Sequence, residues 1–288
     1  MSICFVTRSS LGEEYLASER LRCEWLLPHL DGVKWSGEDL SKYDAVVYSK
    51  ADPVSAPVPD DPMCERPRIL DMCDPVWRTN SHAVDVALGR VDMVTVPTES
   101  MRVEFSNRMC NFPCHVVHDG HDLTWYPIRP KTGPVYVWFG YSRNYNRVAD
   151  HLLNLAKDAR VVSDICFGDF DSHEWKDDLE AFSAISECKV AIIPHGDPLK
   201  SNNRAISAWA MGLAVARNTA DLERFQDVGE RQQDIEDHLP EVWAHSARHA
   251  AGDLMRVINE GRPSGRLAGG PIPPAPRLNY EQSRIPSP

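Results

Sequence analysis

Ile192-Ile193-Pro194-His195-Gly196-Asp197-Pro198-Leu199-Lys200-Ser201-Asn202-Asn203-Arg204 is the stretch on which the fold turns. An apolar run ends at a proline, Gly196 and Pro198 carry the backbone round, and helical spacing follows over 205–211. Ser201 or Asn202 stands where a helix N-cap belongs. A helix start presents free N–H groups and the positive end of the dipole, so it favours an anion. Lys200 and Arg204 add full charges beside it. Arginine grips phosphate through two N–H groups and lysine acts as a point charge, a pairing suited to a diphosphate.

A second loop has matching chemistry. Trp138-Phe139-Gly140-Tyr141-Ser142-Arg143-Asn144 ends a strand at a glycine that permits close backbone approach, then offers a hydroxyl and a guanidinium. Ligands of open parallel sheets bind beyond the carboxyl ends of the strands. The candidate ligand residues are therefore Gly140, Tyr141, Ser142, Arg143, His195, Lys200, Ser201, Asn202, Asn203 and Arg204.

Outward from these loops, short β-rich runs alternate with helical patterns, which predicts an α/β protein with helix-covered parallel sheets. Strands are expected at 135–139, 161–167, 190–193 and 213–216, and helices at 144–158, 174–187, 201–211 and 241–259. The first half repeats the rhythm. Its strands are expected at 3–7, 43–49, 68–72, 93–97 and 115–118, with helices over 13–27 and from Thr98 through Phe105. Trp209 and Trp175 fall where helix cores would use them.

Three prolines and a glycine between Trp125 and Pro134 interrupt any regular element. They divide the chain into domains 1–127 and 128–260, with Trp125 and Tyr126 as hinge packing. Segment 261–288 holds seven prolines and four glycines, with a charge of +3, and reads as an extended tail. A length of 288 residues fits two cores.

The formal charge of −11 disfavours broad adhesion to nucleic acid or anionic membrane, since both are polyanions. No stretch has the roughly 18–20 apolar residues of a membrane span, and Met1 to Val6 lacks a basic leader, so a cytoplasmic protein is expected. The eight cysteines form no Cys-x-x-Cys pair and read as reduced thiols acting as small hydrophobes. Cys110, Cys114, His115 and His118 lack the second cluster that a zinc site would want, and no metal is expected.

Several segments carry a resemblance in one order: 15–22 with its Ser-x-Arg-x-Arg pattern, Val94-Thr95-Val96-Pro97-Thr98-Glu99-Ser100, the hinge-like run 116–127, Val137-Trp138-Phe139-Gly140, and Lys200 to Arg204 continued through 208–215. With these motifs the chain resembles the GT-B glycosyltransferases, particularly family 4-like bacterial and phage enzymes, over residues 1 to about 226. The resemblance implies two Rossmann-like domains facing a cleft, with an acceptor side in 1–127 and a nucleotide-sugar side in 128–260. It implies transfer of a sugar from a nucleoside-diphosphate sugar to a hydroxyl acceptor, by a retaining, metal-independent route in which the nucleotide sugar is substrate and no cofactor is needed.

The sequence departs from that family at informative places. The family's Glu-x7-Glu pair falls at Leu199 and Ser207, which leaves the Ser207 hydroxyl as a candidate for ribose. The usual histidine falls near Cys73-Asp74, so Asp74 becomes the first candidate base, with His118 and Asp119 behind it. The hinge resemblance accounts for His118 to Asp122, which with His115 would otherwise suggest a metal phosphohydrolase. Asp169-Phe170-Asp171 reads as an ordinary acidic loop. Two alternatives stay open: transfer to a hydroxylated base of phage-type DNA, with nucleic acid as partner, and a non-catalytic nucleotide-binding protein of the same fold.

Overall fold

The computed structural model describes residues 1–12, 17–50, 66–109, 112–156, 158–168, 170–194 and 199–261. The expected tail beyond residue 261, and the expectations for Cys110, Asp169 and His195, lie outside the described residues. Six strands, β1 (Ile3–Thr7), β2 (Gly32–Lys34), β3 (Ala45–Ser49), β4 (Arg68–Asp71), β5 (Met93–Val96) and β6 (Cys114–Val116), form a parallel sheet in the order β2-β1-β3-β4-β5-β6. Five more, β7 (Tyr136–Phe139), β8 (Ala159–Ser163), β9 (Asp171–Glu174), β10 (Val190–Ile192) and β11 (Ala214–Ala216), form a second parallel sheet, β11-β10-β7-β8-β9. Its register sets Val190 opposite both Ala214 and Tyr136.

The helices are α1 (Ala17–Glu19), α2 (Ser81–Leu88), α3 (Glu99–Arg108), α4 (Arg147–Leu155), α5 (Asp178–Ser186), α6 (Asn203–Ala210), α7 (Thr219–Arg224), α8 (Val228–Ala244) and α9 (Ala247–Glu260). None among the described residues is long and apolar enough to cross a membrane.

Central strands such as β1, β3 and β7 are buried at every residue. Helices cover both faces of such strands, so their sequences run continuously apolar and are easily recognised. Strands β2 and β9 escaped that criterion. They are edges, where polar side chains are tolerated and useful. Consequently the expected strand 161–167 ends at Ser163, Glu174 belongs to β9, and α5 begins only where Asp177 accepts from the Glu180 N–H.

Two expected helices also change. The 13–27 segment becomes, over its described part, α1 followed by a π-helical turn at Arg20–Glu24, closed by a Trp25 N–H to Arg20 carbonyl bond of 2.9 Å. The 241–259 segment belongs to two helices, α8 and α9, separated at His245 and Ser246. Ser246 caps α9, and the freed backbone there binds the hinge: His121 N–H donates to the His245 carbonyl and Ala247 N–H to that of His121, both at 2.8 Å. One apolar cluster runs from Phe5 and Trp25 through Tyr126 to Phe182 and Trp209, so the two halves share a core at the hinge.

Candidate anion site in the cleft

A cavity of about 900 Å3 opens between the two sheets, lined from the first half by Lys50, Asp74 and Asp119 among others, and from the second by Gly140, Lys200 and Arg204. Lys50, Asp74 and Gly140 directly follow or lie close beyond strands β3, β4 and β7. The cavity therefore occupies the strand-end position that open parallel sheets use for ligands.

Gly140 and Arg204 form its second-half wall. Gly140 has φ of 140°, a conformation that suits only glycine, and a Cβ there would stand 3.3 Å from Arg204 Cδ. The absent side chain lets Arg204 lie across the strand end, where its Nη1 donates to the Phe139 carbonyl at 3.4 Å and its guanidinium sits 6.0 Å from the Trp138 ring. Burial pushes the Arg204 pKa down, and among the described residues no carboxylate pairs with it. A partly buried cation without a counter-ion is an electrostatic cost that a bound anion relieves.

The start of α6 lies beside it. Asn202 occupies the N-cap position but makes no capping bond; its amide donates instead to Glu241 at 3.3 Å. The expected cap is thus absent because the side chain is used to reach α8. Uncapped N–H groups remain at the helix start, as anion binding requires.

Asp74 lies between lysines from both halves, 2.8 Å from Lys50 Nζ and 3.8 Å from Lys200 Nζ. Burial would raise its carboxyl pKa, but Lys50, followed by Lys200, outweighs burial and holds it below the usual range. Lys50 itself has φ of 52°, a strained setting for a non-glycine residue that places it at the cavity wall. Sequence reasoning missed Lys50, although its position immediately after a strand was a usable signal.

Deeper in the cleft, Arg22 is buried between two carboxylates. It pairs with Asp71 through Nε at 3.0 Å and through Nη2, donates to the Val117 carbonyl, and lies 3.3 Å from Asp119. Asp71 also accepts from Ser49 at 3.1 Å and Thr95 at 2.7 Å. Burial would raise the Asp119 carboxyl, yet Arg22 and the side chains of Ser201 and Asn203 hold it below the ordinary range. Asp119 lines the same cavity as Ser201, Asn202 and Asn203 at the start of α6. Arg20, from the same π-helical turn, pairs with Asp178 and packs its guanidinium 4.9 Å from the Trp25 ring.

The remaining expected residues are distributed unevenly. Ser207 lines the cavity, but its hydroxyl donates to the Asn203 carbonyl at 2.9 Å and lies 3.1 Å from the Tyr126 hydroxyl. Tyr141 is exposed and lines the cavity; Ser142 hydrogen-bonds Asp164 at 3.0 Å, and neither it nor the exposed Arg143 is among the lining residues. His118 also lies off the lining, its Nδ1 3.0 Å from the Pro97 carbonyl and its ring 4.4 Å from that of His245. His121 Nδ1 faces the Tyr126 hydroxyl at 2.6 Å, while His115 faces Glu260 at 3.5 Å. The hinge histidines thus point to separate partners, and among the described residues no three His, Cys, Asp or Glu side chains are grouped to hold a metal ion. Asp171 lies in β9 and pairs with Arg160 at 2.8 Å, which corrects its placement in a loop.

No protein-family model matches the sequence, and no curated protein matches it. Solved structures match its fold. HepE from Anabaena in complex with UDP has a TM-score of 0.54 at 14% identity, over 90% of this chain and 98% of that one. The same Anabaena protein in complex with UDP-glucose has a TM-score of 0.53 at 12% identity, over 91% and 98% of the two chains. A glycosyltransferase from Rickettsia africae has a TM-score of 0.58 at 9% identity, over 90% and 98%. The fold is the GT-B architecture, α/β with two Rossmann-like halves facing a cleft.

Proposed function

We propose that the chain is a glycosyltransferase that moves a sugar from a nucleoside-diphosphate sugar to a hydroxyl acceptor, retaining and metal-independent, with 1–127 as acceptor side and 128–260 as donor side. The observation that carries this reading is Arg204, a partly buried guanidinium with no carboxylate among the described residues, placed at a glycine loop and an uncapped helix start. UDP and UDP-glucose bound to structures of the same fold support it.

In this reading Arg204, Lys200 and the α6 N–H groups take the diphosphate and stabilise the charge that grows on it as the sugar leaves. The Asp74 carboxylate, kept ionised by Lys50 and Lys200, accepts the hydrogen bond of the acceptor hydroxyl. The proton then passes to the departing phosphate, because a carboxylate whose pKa is depressed is a weak base. Asp119, paired with Arg22 in the cavity wall, stands behind Asp74 as a candidate.

The test is calorimetric titration with UDP and GDP, followed by NMR of the anomeric proton of the product. Absence of nucleotide binding would sink the reading, and an inverted anomer would remove retention from it. A second reading, a nucleotide-binding protein without turnover, draws support from Leu199 and from the engaged Ser207 hydroxyl, which stand where the family resemblance calls for carboxylates. Tight nucleotide binding with no consumption of any nucleotide sugar would favour it.

A further inference from the structure

A second cavity, about 260 Å3, lies beyond β4 and against α2. Among the described residues its apolar lining is Leu70, Met72, Val76, Ala83, Val84 and Ala87. Its polar lining is Arg8, Lys50, Asp71, Cys73 and Asp74; Asp71 is already engaged by Arg22, Ser49 and Thr95, Lys50 is paired with Asp74, and Arg8 has an interaction of its own. Lys50, Cys73 and Asp74 line this cavity and the large one alike, so the two spaces adjoin at these three residues.

We propose that this pocket is an acceptor subsite for an alcohol with a compact apolar body, of about one or two fused rings, whose hydroxyl reaches Asp74. The proposal rests on the glycosyltransferase reading and specifies its acceptor. Size supports it, since a cavity of about 150 Å3 already holds a benzene ring. The wall chemistry supports it too. Apart from Arg8 and the polar end at Lys50, Asp71, Cys73 and Asp74, the wall is six apolar side chains that offer no hydrogen bonds, so further hydroxyls of a sugar, or the polar edge of a base, seated against them would lose water without replacement.

The geometry also orders the reaction. An alcohol seated against α2 presents its oxygen at the junction of the two cavities, with the donor sugar on the other side of Asp74. That oxygen bonds to the anomeric carbon, the carbon–oxygen bond to the diphosphate breaks with its electron pair going to the phosphate, and the hydroxyl proton follows to the phosphate oxygen.

Two substitutions test the pocket without touching the donor wall. Ala83→Phe fills it from a half-buried position, and Val76→Asp puts a charge on its lining from a residue 41% exposed. With UDP-glucose as donor and the hydroxycoumarin 4-methylumbelliferone as acceptor, both variants are expected to lose at least about tenfold in acceptor kcat/KM. UDP affinity and acceptor-free donor hydrolysis should stay at parent values, with circular dichroism confirming the fold.

Equal transfer by parent and both variants would overturn the subsite, as would a parent that prefers glucose to the hydroxycoumarin. Fluorescence polarisation of the hydroxycoumarin without donor separates the two readings. Binding by the parent that Ala83→Phe abolishes, alongside no use of any nucleotide sugar, would keep the pocket and sink the glycosyltransferase. No binding by the parent, with donor hydrolysis intact, would do the reverse.

Discussion

The Arg22 guanidinium lies 3.3 Å from the Asp119 carboxylate, which lines the same cavity as Ser201 and Asn203 at the start of α6. A buried cation of the first half thereby backs a hinge carboxylate that faces, across one cavity, the helix start of the second half. Stability and ligand geometry are coupled at this point.

Removing that cation leaves Asp71 and Asp119 buried with too few partners. Arg22→Met is expected to destabilise the protein by about 3–5 kcal/mol in urea unfolding, the range for breaking a buried ion pair from one side. Arg22→Met combined with Asp119→Asn should cost less than the sum of the two single changes, because the second removes a charge that the first strands. Additive costs would show that the pair is not coupled.

Arg204→Ala should weaken UDP binding by about 1–3 kcal/mol, the cost of a charge-assisted contact, as read by calorimetry. Arg204→Lys should recover only part of the loss, since a point charge lacks the two-pronged grip. Unchanged affinity in the alanine variant would place the diphosphate elsewhere.

Gly140→Ala tests the close approach on which Arg204 depends. The new methyl meets a φ that disfavours it and an Arg204 side chain 3.3 Å away. Loss of about 1–3 kcal/mol in stability is expected from the backbone strain, together with weaker nucleotide binding as Arg204 is displaced. Full nucleotide affinity in a folded variant would argue against Arg204 as a ligand.

Asp74→Asn removes the carboxylate shared by Lys50 and Lys200. Turnover should fall, while UDP affinity should hold or rise because Lys200 loses a competing anion. Unaltered turnover would take Asp74 out of the mechanism.

Burial pushes the His121 imidazole down to about 4, against the opposing pull of Asp119. Between that value and the ordinary histidine pKa of about 6.5, the unfolded chain binds a proton that the folded chain refuses. Stability therefore falls as pH drops through this window, by on the order of 3 kcal/mol for the one group. Asp74 and Asp119, with depressed carboxyls, contribute stability that is present above the unfolded aspartate pKa of about 3.9 and lost only at lower pH. Urea titrations at steps between pH 7 and pH 4 should show the slope, and His121→Gln should flatten it. An equal slope in that variant would assign it to other groups.

The sequence by itself determined the alternation of central strands and helices, the break after Trp125 and the loops at the ends of β7 and β10. Each of these is written in local apolar runs, glycines and prolines, whose meaning does not depend on distant residues. Edge strands β2 and β9 were illegible because their exposed sides relax the apolar requirement, and the division between α8 and α9 depends on backbone bonds to His121 in the hinge. Only the tertiary structure set Arg22 between Asp71 and Asp119, 49 and 97 positions away, or brought Lys50 and Lys200 to one carboxylate. Charges carry no periodic pattern along the chain; which ones meet is decided by how the apolar cores close the two halves around the cleft.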